Sequence, residues 1–335
     1  MMHQFTNRNY IHTIYGVLTM VVAFLIAIIF RNYWVGVMGS FGSLLFMYYV
    51  PANKNKTMTQ LFLVSSISCI SFPISACLSK TQWLTFIWIA LLTYIVQYLM
   101  SVNGYIGPGL FFVLMINGMI ASLSHLPLLN ALFLSLYAVL GVVIAVVFAM
   151  IENRQFERYQ INLRDIIYKT QDIQPSIRAL MTSVFAFLAY FIGYHLKLNN
   201  YYWILVSALT ILQSENVTIA RKRQLSYIGA GLIGTLIAFV IYSLVNDPIV
   251  LIGLSFVFMA LIGLYMPKSY LVGNFFTTPI ALILFKIVRP EMGNTLIKTR
   301  ILAIFVGTII GLIGVLYYDY IMNKNWPIAN KIEES

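Results

Sequence analysis

Apolar segments of membrane-spanning length follow one another along almost the whole chain. A helix needs about 20 apolar residues to cross the roughly 30 Å hydrocarbon core of a bilayer. Polar residues, proline and glycine divide the sequence into six such segments in each half. They lie at residues 12–30, 34–50, 58–78, 82–100, 104–123, 127–151, 177–196, 201–213, 225–245, 249–266, 270–288 and 299–322. This pattern predicts an all-helical polytopic membrane protein with about twelve transmembrane helices.

The charge content supports the same class. Only 9% of the 335 residues are charged, whereas soluble domains carry about 25%. The net charge of +11 follows from the positive-inside rule, because cytoplasmic loops collect lysine and arginine. With both termini in the cytoplasm, 14 of the 21 basic residues lie inside. We therefore expect a bacterial plasma (inner) membrane protein with the lipid bilayer as partner, and no nucleic acid.

The two halves of the chain resemble each other. Trp34 and Trp203 are 169 residues apart, and the similar stretches that begin at Gln60 and Gln224 are 164 apart. Six spans per half bring both halves into the membrane in the same direction, which predicts two parallel six-helix repeats. We place the repeats at 1–151 and 177–323, a cytoplasmic amphipathic linker at 152–176 and a cytoplasmic tail at 324–335.

The segment 201–213 is too short to cross a bilayer. Thirteen helical residues cover only ~20 Å, and lipid cannot hydrogen-bond exposed backbone groups. The corresponding segment 34–50 is interrupted by Gly36, Gly39 and Gly42. Short or broken segments at matching places in two repeats are typical of a translocation path. The alternative is two ordinary tilted helices that pack through small residues.

Several motifs in the second half carry a family resemblance. They are Arg178-Ala179-Leu180, an aromatic short helix from Tyr202-Trp203 to Gln213, a basic turn at 221–223, a glycine-rich helix at 229–235, and Tyr270 followed by Phe275-Phe276-x-Thr278-Pro279. Over about residues 175–320 this pattern resembles the membrane domain of the fusaric acid resistance (FUSC) family, which is related to aromatic acid exporters. The resemblance implies export of aromatic or other organic anions, and it leaves a monomer and a homodimer open.

Transport of a small organic anion requires positive charge and polar groups along the path. We predict a basic cytoplasmic mouth and an outer basic cluster, which also includes Arg289 and Lys298, with polar side chains between them. The candidate path residues are Arg178, Trp203, Gln213, Arg221, Arg223, Tyr270, Asn274, Thr277, Thr278, Lys286, Arg300, Asn103, Tyr105 and Asn117. The alternatives are basic side chains that reach the interface and, for Tyr202 and Trp203, an aromatic belt at the membrane surface, which we favour.

The acidic residues, histidines and sequence motifs restrict the possible driving force and activity. None of the ten acidic residues lies near the centre of an apolar segment, so the membrane potential or the substrate gradient is the expected driving force. Only Glu215, Asp319 and His195 are candidates for proton coupling. The sequence has no phosphate-binding loop, metal-ligand spacing or nucleophile motif, so we expect no enzyme activity and no cofactor. A non-conducting membrane scaffold for an enzyme and an anion channel remain alternatives.

Overall fold

The computed structural model describes residues 2–50, 57–105, 107–156, 174–266 and 268–325. Within these ranges the regular structure is entirely helical, which confirms the predicted all-helical class. The twelve α-helices are α1 Met2–Ile29, α2 Tyr33–Ser43, α3 Thr57–Leu78, α4 Gln82–Asn103, α5 Phe111–Ala121, α6 Leu128–Phe156, α7 Gln174–His195, α8 Tyr202–Leu212, α9 Val217–Leu244, α10 Pro248–Tyr265, α11 Tyr270–Val288 and α12 Gly293–Asn325. Nine of them are long and apolar enough to cross a membrane, and α2, α5 and α8 are shorter.

Local capping explains why several helices begin at the predicted breaks. The side chain of Asn216 accepts a hydrogen bond from the backbone of Ile219, and Asp247 caps α10 in the same way, with Pro248 at the first helical position. These side chains satisfy backbone N–H groups that have no partner in the first turn of a helix. The positions where the hydropathy falls therefore also contain the capping residues at which helices begin.

The fifth span differs from the prediction. We expected a helix over 104–123, but α5 begins only at Phe111. Gly104, Gly107 and Gly109 have φ angles of +58°, +120° and +59°, in the left-handed region that glycine tolerates, so the chain ahead of α5 is irregular. A Cβ atom at Gly109 would lie 2.5 Å from Oε1 of Gln213. The irregular stretch therefore lies directly against the C-terminus of α8.

The three short helices form the centre of the molecule. All residues of Tyr202–Leu212 are buried, as are 35–43 of α2 and 113–121 of α5. The exposed large apolar side chains lie mainly on the long helices, for example Leu225 and Leu244 of α9. Protein rather than lipid therefore surrounds the short helices, which is one of the two environments that such helices tolerate.

Several helix contacts recur in both halves. The second helix packs on the sixth, as α2 on α6 and α8 on α12, and the third packs on the fifth and sixth. Between the halves, α1 packs on α10 and α4 on α7, while α5 packs on α8 and α11 on α2. The second helix of each half, α2 or α8, therefore packs both within its own half and against the fifth helix of the other half.

Glycines bring these central helices into backbone contact. A Cβ at Gly42 of α2 would overlap the carbonyl of Ala138 in α6, and one at Gly307 of α12 would overlap the carbonyl of Ile204 in α8. Small residues permit such close approach where lipid provides no hydrophobic driving force between helices.

Two predicted segments fall outside the structural description. Helix α6 ends at Phe156 and α7 begins at Gln174, so the central part of the predicted amphipathic linker, 157–173, is not described. The same holds for 326–335 of the predicted tail.

Candidate functional site

A buried arginine lies among four helices of the second half. Arg300 of α12 is only 6% exposed. Its Nη2 donates to the hydroxyl of Tyr227 in α9 at 3.1 Å and to the hydroxyl of Thr278 in α11 at 3.2 Å. Its Cζ lies 5.4 Å from the ring centroid of Trp203 in α8 and 5.9 Å from that of Tyr227. We call Arg300, Tyr227, Thr278 and Trp203 the Arg300 cluster.

The partners of Arg300 among the described residues are all neutral. Burying a cation is costly unless an opposite charge and further hydrogen bonds compensate it, and hydroxyls and aromatic faces compensate only in part. Basic side chains held within a membrane bundle in this way are typical of substrate sites. An entering carboxylate would supply the missing charge and would accept the charge-assisted hydrogen bonds that guanidinium donates.

The depth of Arg300 differs from the prediction. We placed it in an outer basic cluster because the apolar segment begins at about residue 299, but α12 begins at Gly293. Arg300 therefore lies about two turns inside the helix, whereas Lys298 is exposed. The interfacial belt expected for Tyr202 and Trp203 is also wrong, since both are buried where α8 packs among α5, α7 and α12.

A cavity of about 270 Å³ opens at the N-terminal end of α8. We call this side of the bundle the Arg289 end. Arg289 donates from Nη2 to Nε2 of His125 at 3.2 Å, and its Cζ lies 5.7 Å from the ring centroid of Trp34. The lining residues are Trp34, Met38, Met119, Ser122, Leu123, Ser124, His125, Leu134, Leu198, Asn199, Asn200, Tyr201, Phe285, Arg289 and Met292.

An aromatic layer lies between this cavity and Arg300. The Phe285 ring lines the cavity, and its centroid is 6.2 Å from that of Trp203 and 5.6 Å from that of Phe41. The Trp203 ring in turn lies 5.4 Å from Cζ of Arg300. Phe285 and Trp203 are therefore the side chains that connect the cavity to the Arg300 cluster.

Two arginines cap the opposite end of α8, which we call the Arg223 end. Arg178 donates to the carbonyl of Ser214 at 3.0 Å, and Arg223 donates to the carbonyl of Thr210 at 3.3 Å. Cations are favourable there because the last carbonyls of a helix lack partners and carry partial negative charge. A pocket of about 10 Å³ lies beside Arg178, and Arg221 is exposed nearby in sequence.

The comparison with known families bears on this half of the chain. Residues 188–314 match the model of the fusaric acid resistance protein-like family. The match confirms the predicted FUSC resemblance for this segment, which contains all four residues of the Arg300 cluster. No curated protein and no solved structure shows significant similarity to the chain.

Within the FUSC-like segment, the Lys286 side chain binds backbone carbonyls of a neighbouring helix. Its Nζ donates to the carbonyls of Tyr242 and Val245, at 2.7 and 2.5 Å, and to Oδ1 of Asn246 at 3.2 Å. It also lies 4.8 Å from the centroid of the Tyr242 ring. Lys286 thus caps the C-terminus of α9, and the structure does not bring it into the Arg300 cluster.

Most of the predicted polar path residues bind within or between neighbouring helices. Asn103 donates to the carbonyl of Leu99, and Asn274 accepts from the hydroxyl of Thr277. Tyr105 lies half-buried ahead of α5, Gln213 contacts Gly109 at the end of α8, and Tyr270 begins α11. Thr278 of this set contacts Arg300.

Asn117 belongs to a separate buried network in the first half. It donates to the hydroxyl of Ser71 at 2.9 Å and accepts from that of Ser75 at 2.7 Å, while Trp88 donates to Ser75. The network joins α3, α4 and α5. The polar side chains of the network bond to one another across helices, which is typical of polar groups that hold membrane helices together.

The structure also reveals two features that sequence reasoning missed. Tyr227 had no assigned role, although it lies one turn after Arg223 in α9 and so on a similar face. Glu152 is fully buried and its Oε2 lies 3.0 Å from Nδ1 of His12, whereas Glu215, a predicted proton-coupling candidate, is exposed. The packing of α1 against α6 creates the Glu152–His12 pair, and hydropathy contains no signal for it.

Proposed function

We propose that this protein is a membrane transporter that exports aromatic or other organic anions, and that Arg300 holds the anionic group. The match to the fusaric acid resistance protein-like family supports a transport or resistance function in a membrane. The observation that carries the proposal is the burial of Arg300 among neutral partners, since such a charge favours an anionic ligand. Trp203 supplies an aromatic face beside the same guanidinium.

The distribution of positive charge along α8 supports a path through the centre of the bundle. Arg178 and Arg223 lie at one end of α8, Arg300 lies beside Trp203, and Arg289 lines the cavity at the other end. In the proposed orientation, with both termini in the cytoplasm of an inner membrane, the anion leaves at the Arg289 end. An inside-negative potential favours this direction by ~2.3 kcal/mol per charge per 100 mV. The proposal requires neither a cofactor nor enzyme activity.

We also propose that the halves are two parallel six-helix repeats of which only the second retains the anion site. The recurring helix contacts support this arrangement. Raising the residue number by 170 relates Gly141, which approaches the backbone of α2, to Gly311, which approaches that of α8. The same offset relates Asn130 to Arg300. The first half therefore has a neutral residue where the second has the buried cation.

A flux measurement tests the role of Arg300. We expect Arg300→Gln to reduce efflux of a labelled aromatic carboxylate from proteoliposomes at least about tenfold, because a charge-assisted hydrogen bond contributes about 1.5–3 kcal/mol. Arg300→Lys should retain part of the flux, since it keeps the charge but not the bidentate geometry. Lys298→Gln, which removes an exposed charge on the same helix, is the matched control.

Equal flux in the wild type and Arg300→Gln would remove Arg300 from the mechanism. The dense packing around α8 favours a second candidate, a non-conducting scaffold. If the protein is a scaffold, efflux of the carboxylate from liposomes that contain the wild type or any variant will equal efflux from liposomes without protein.

A further inference from the structure

We propose that the cavity at the Arg289 end is a separate binding site for monocarboxylates with a single aromatic ring, and that the protonation state of His125 controls its affinity. This inference rests on the proposed function, because it makes the cavity the exit site of the same path. The volume of about 270 Å³ exceeds the ~150 Å³ cavity that accommodates benzene in a protein interior. One ring with a carboxyl group therefore fits.

The lining supplies both parts that such a ligand requires. Trp34, Tyr201 and Phe285 provide aromatic faces, and the Arg289 guanidinium provides positive charge. The Nδ2 atom of Asn200, also a lining residue, is buried and has no hydrogen-bond partner among the described residues. A buried donor without a partner is costly, and a carboxylate oxygen in the cavity would accept from it. The described lining contains no acidic residue to compete for Arg289.

His125 holds Arg289 when the cavity has no anion. Because Arg289 donates to Nε2, this nitrogen must carry a lone pair, and the imidazole is neutral. Burial, followed by the charges of Arg289, which directly follows α11, and of Lys80 in the turn between α3 and α4, lowers the pKa of His125 below its ordinary value. Lys80 is fixed close by, since its Nζ donates to the carbonyls of Ser124 and Leu126.

Protonation of His125 changes this arrangement in two ways. The imidazolium no longer accepts from Arg289, so the guanidinium becomes free to bind a carboxylate. The imidazolium also adds a second positive charge beside the cavity. A bound anion stabilises the protonated form, so by linkage anion binding takes up a proton and its affinity rises as the pH falls. An exported anion would therefore leave the cavity more readily at neutral than at acidic pH.

The test is calorimetric titration of the full-length protein in nanodiscs with benzoate, and with benzamide as a neutral probe of the same shape. For the wild type we expect benzoate affinity to rise about threefold to tenfold from pH 7.5 to pH 5.5, while benzoate itself stays ionised because carboxyl groups titrate near pH 4. Arg289→Gln should weaken benzoate binding about tenfold without changing benzamide binding. His125→Gln should remove the pH dependence.

Three further variants test the assignment, and the last of them separates this site from the Arg300 cluster. Lys298→Gln removes an exposed charge from the same end of α12 and should leave benzoate binding unchanged, and Arg289→Lys should restore part of it. The calorimetric signal of the cavity should also persist in Arg300→Gln. A wild-type protein that binds benzoate in the cavity but transports no carboxylate would contradict the proposed function and leave the cavity inference standing. Benzoate affinity that is the same in Arg289→Gln and the wild type, or a pH dependence that survives His125→Gln, would overturn the inference.

Discussion

At the scale of single residues, the central feature is a guanidinium held by hydroxyls and aromatic rings. Arg300 has two neutral acceptors, Tyr227 and Thr278, and two aromatic neighbours, Trp203 and again Tyr227; these three residues lie on three different helices. Such an environment leaves positive charge available to a ligand while fixing the geometry of the side chain. Lys286 shows the contrasting case, since its donors are directed at the carbonyl end of α9.

Tyr227 tests whether the hydroxyl partners are needed to bury Arg300. We expect Tyr227→Phe to lower the free energy of unfolding by about 1–2 kcal/mol, because a buried charged donor loses an acceptor while the ring is kept. Unfolding in mixed micelles measures this change. Tyr317→Phe, at a half-exposed position of α12, should differ from the wild type by less than about 0.5 kcal/mol. Equal stability of Tyr227→Phe and Tyr317→Phe would show that Arg300 does not depend on the hydroxyl.

At the scale of elements, the short helices depend on glycine contacts with their long neighbours. Helix α8 would span only ~16 Å and is wholly buried. Helix α12 reaches it through Gly307 and Gly311, whose Cα atoms face the backbone of Ile204 and Ala208. The same contact brings Arg300 close to Trp203, because these residues lie on the faces through which α12 and α8 pack against each other.

A pair of glycine substitutions tests this contact. A Cβ at Gly307 would overlap the carbonyl oxygen of Ile204 and lie 2.6 Å from Cβ of Ser207, so Gly307→Ala should destabilise the protein by about 1–3 kcal/mol. Gly229→Ala, in α9, has nothing within 4 Å of its new Cβ and should be neutral or stabilise by up to about 1 kcal/mol through higher helix propensity. Thermal unfolding in detergent compares them. Similar melting temperatures for both variants would contradict close packing of α8 on α12.

At the scale of the whole molecule, the two ends of the bundle differ in chemistry. The Arg289 end carries the large cavity and the Arg289–His125 hydrogen bond, whereas the Arg223 end carries the arginines that cap α8 and the buried Glu152–His12 pair. This difference would give the proposed path a direction once the orientation in the membrane is known.

Cysteine labelling measures that orientation. After replacement of Cys69 and Cys77 by serine, single cysteines are introduced as Thr81→Cys, at the Arg289 end, and Lys222→Cys, at the Arg223 end; both positions are exposed. With the termini in the cytoplasm, an impermeant maleimide should label Thr81→Cys in intact spheroplasts and Lys222→Cys only after permeabilisation. The reverse pattern would invert the proposed direction of export.

Much of the architecture was predictable from residue order. Hydropathy located a segment for each of the twelve described helices, because a helix within the bundle satisfies its own backbone and is apolar whether lipid or protein surrounds it. Caps such as Asn216 and Asp247 mark their starts, and the motifs from Arg178 to Pro279 pointed to the family that matches residues 188–314. The irregular chain ahead of α5 was missed because an apolar run with three glycines has the same hydropathy whether or not it is helical.

The candidate site required the packing of distant helices. The Arg300 cluster draws its residues from four helices, namely Arg300, Tyr227, Thr278 and Trp203. The local sequence of one helix does not specify which of its faces will meet another helix. The same is true of His125 with Arg289 and of His12 with Glu152, pairs separated by 164 and 140 residues. Helix positions follow from short-range hydropathy and backbone hydrogen bonding, whereas the burial of a charge depends on neighbours that only folding brings together.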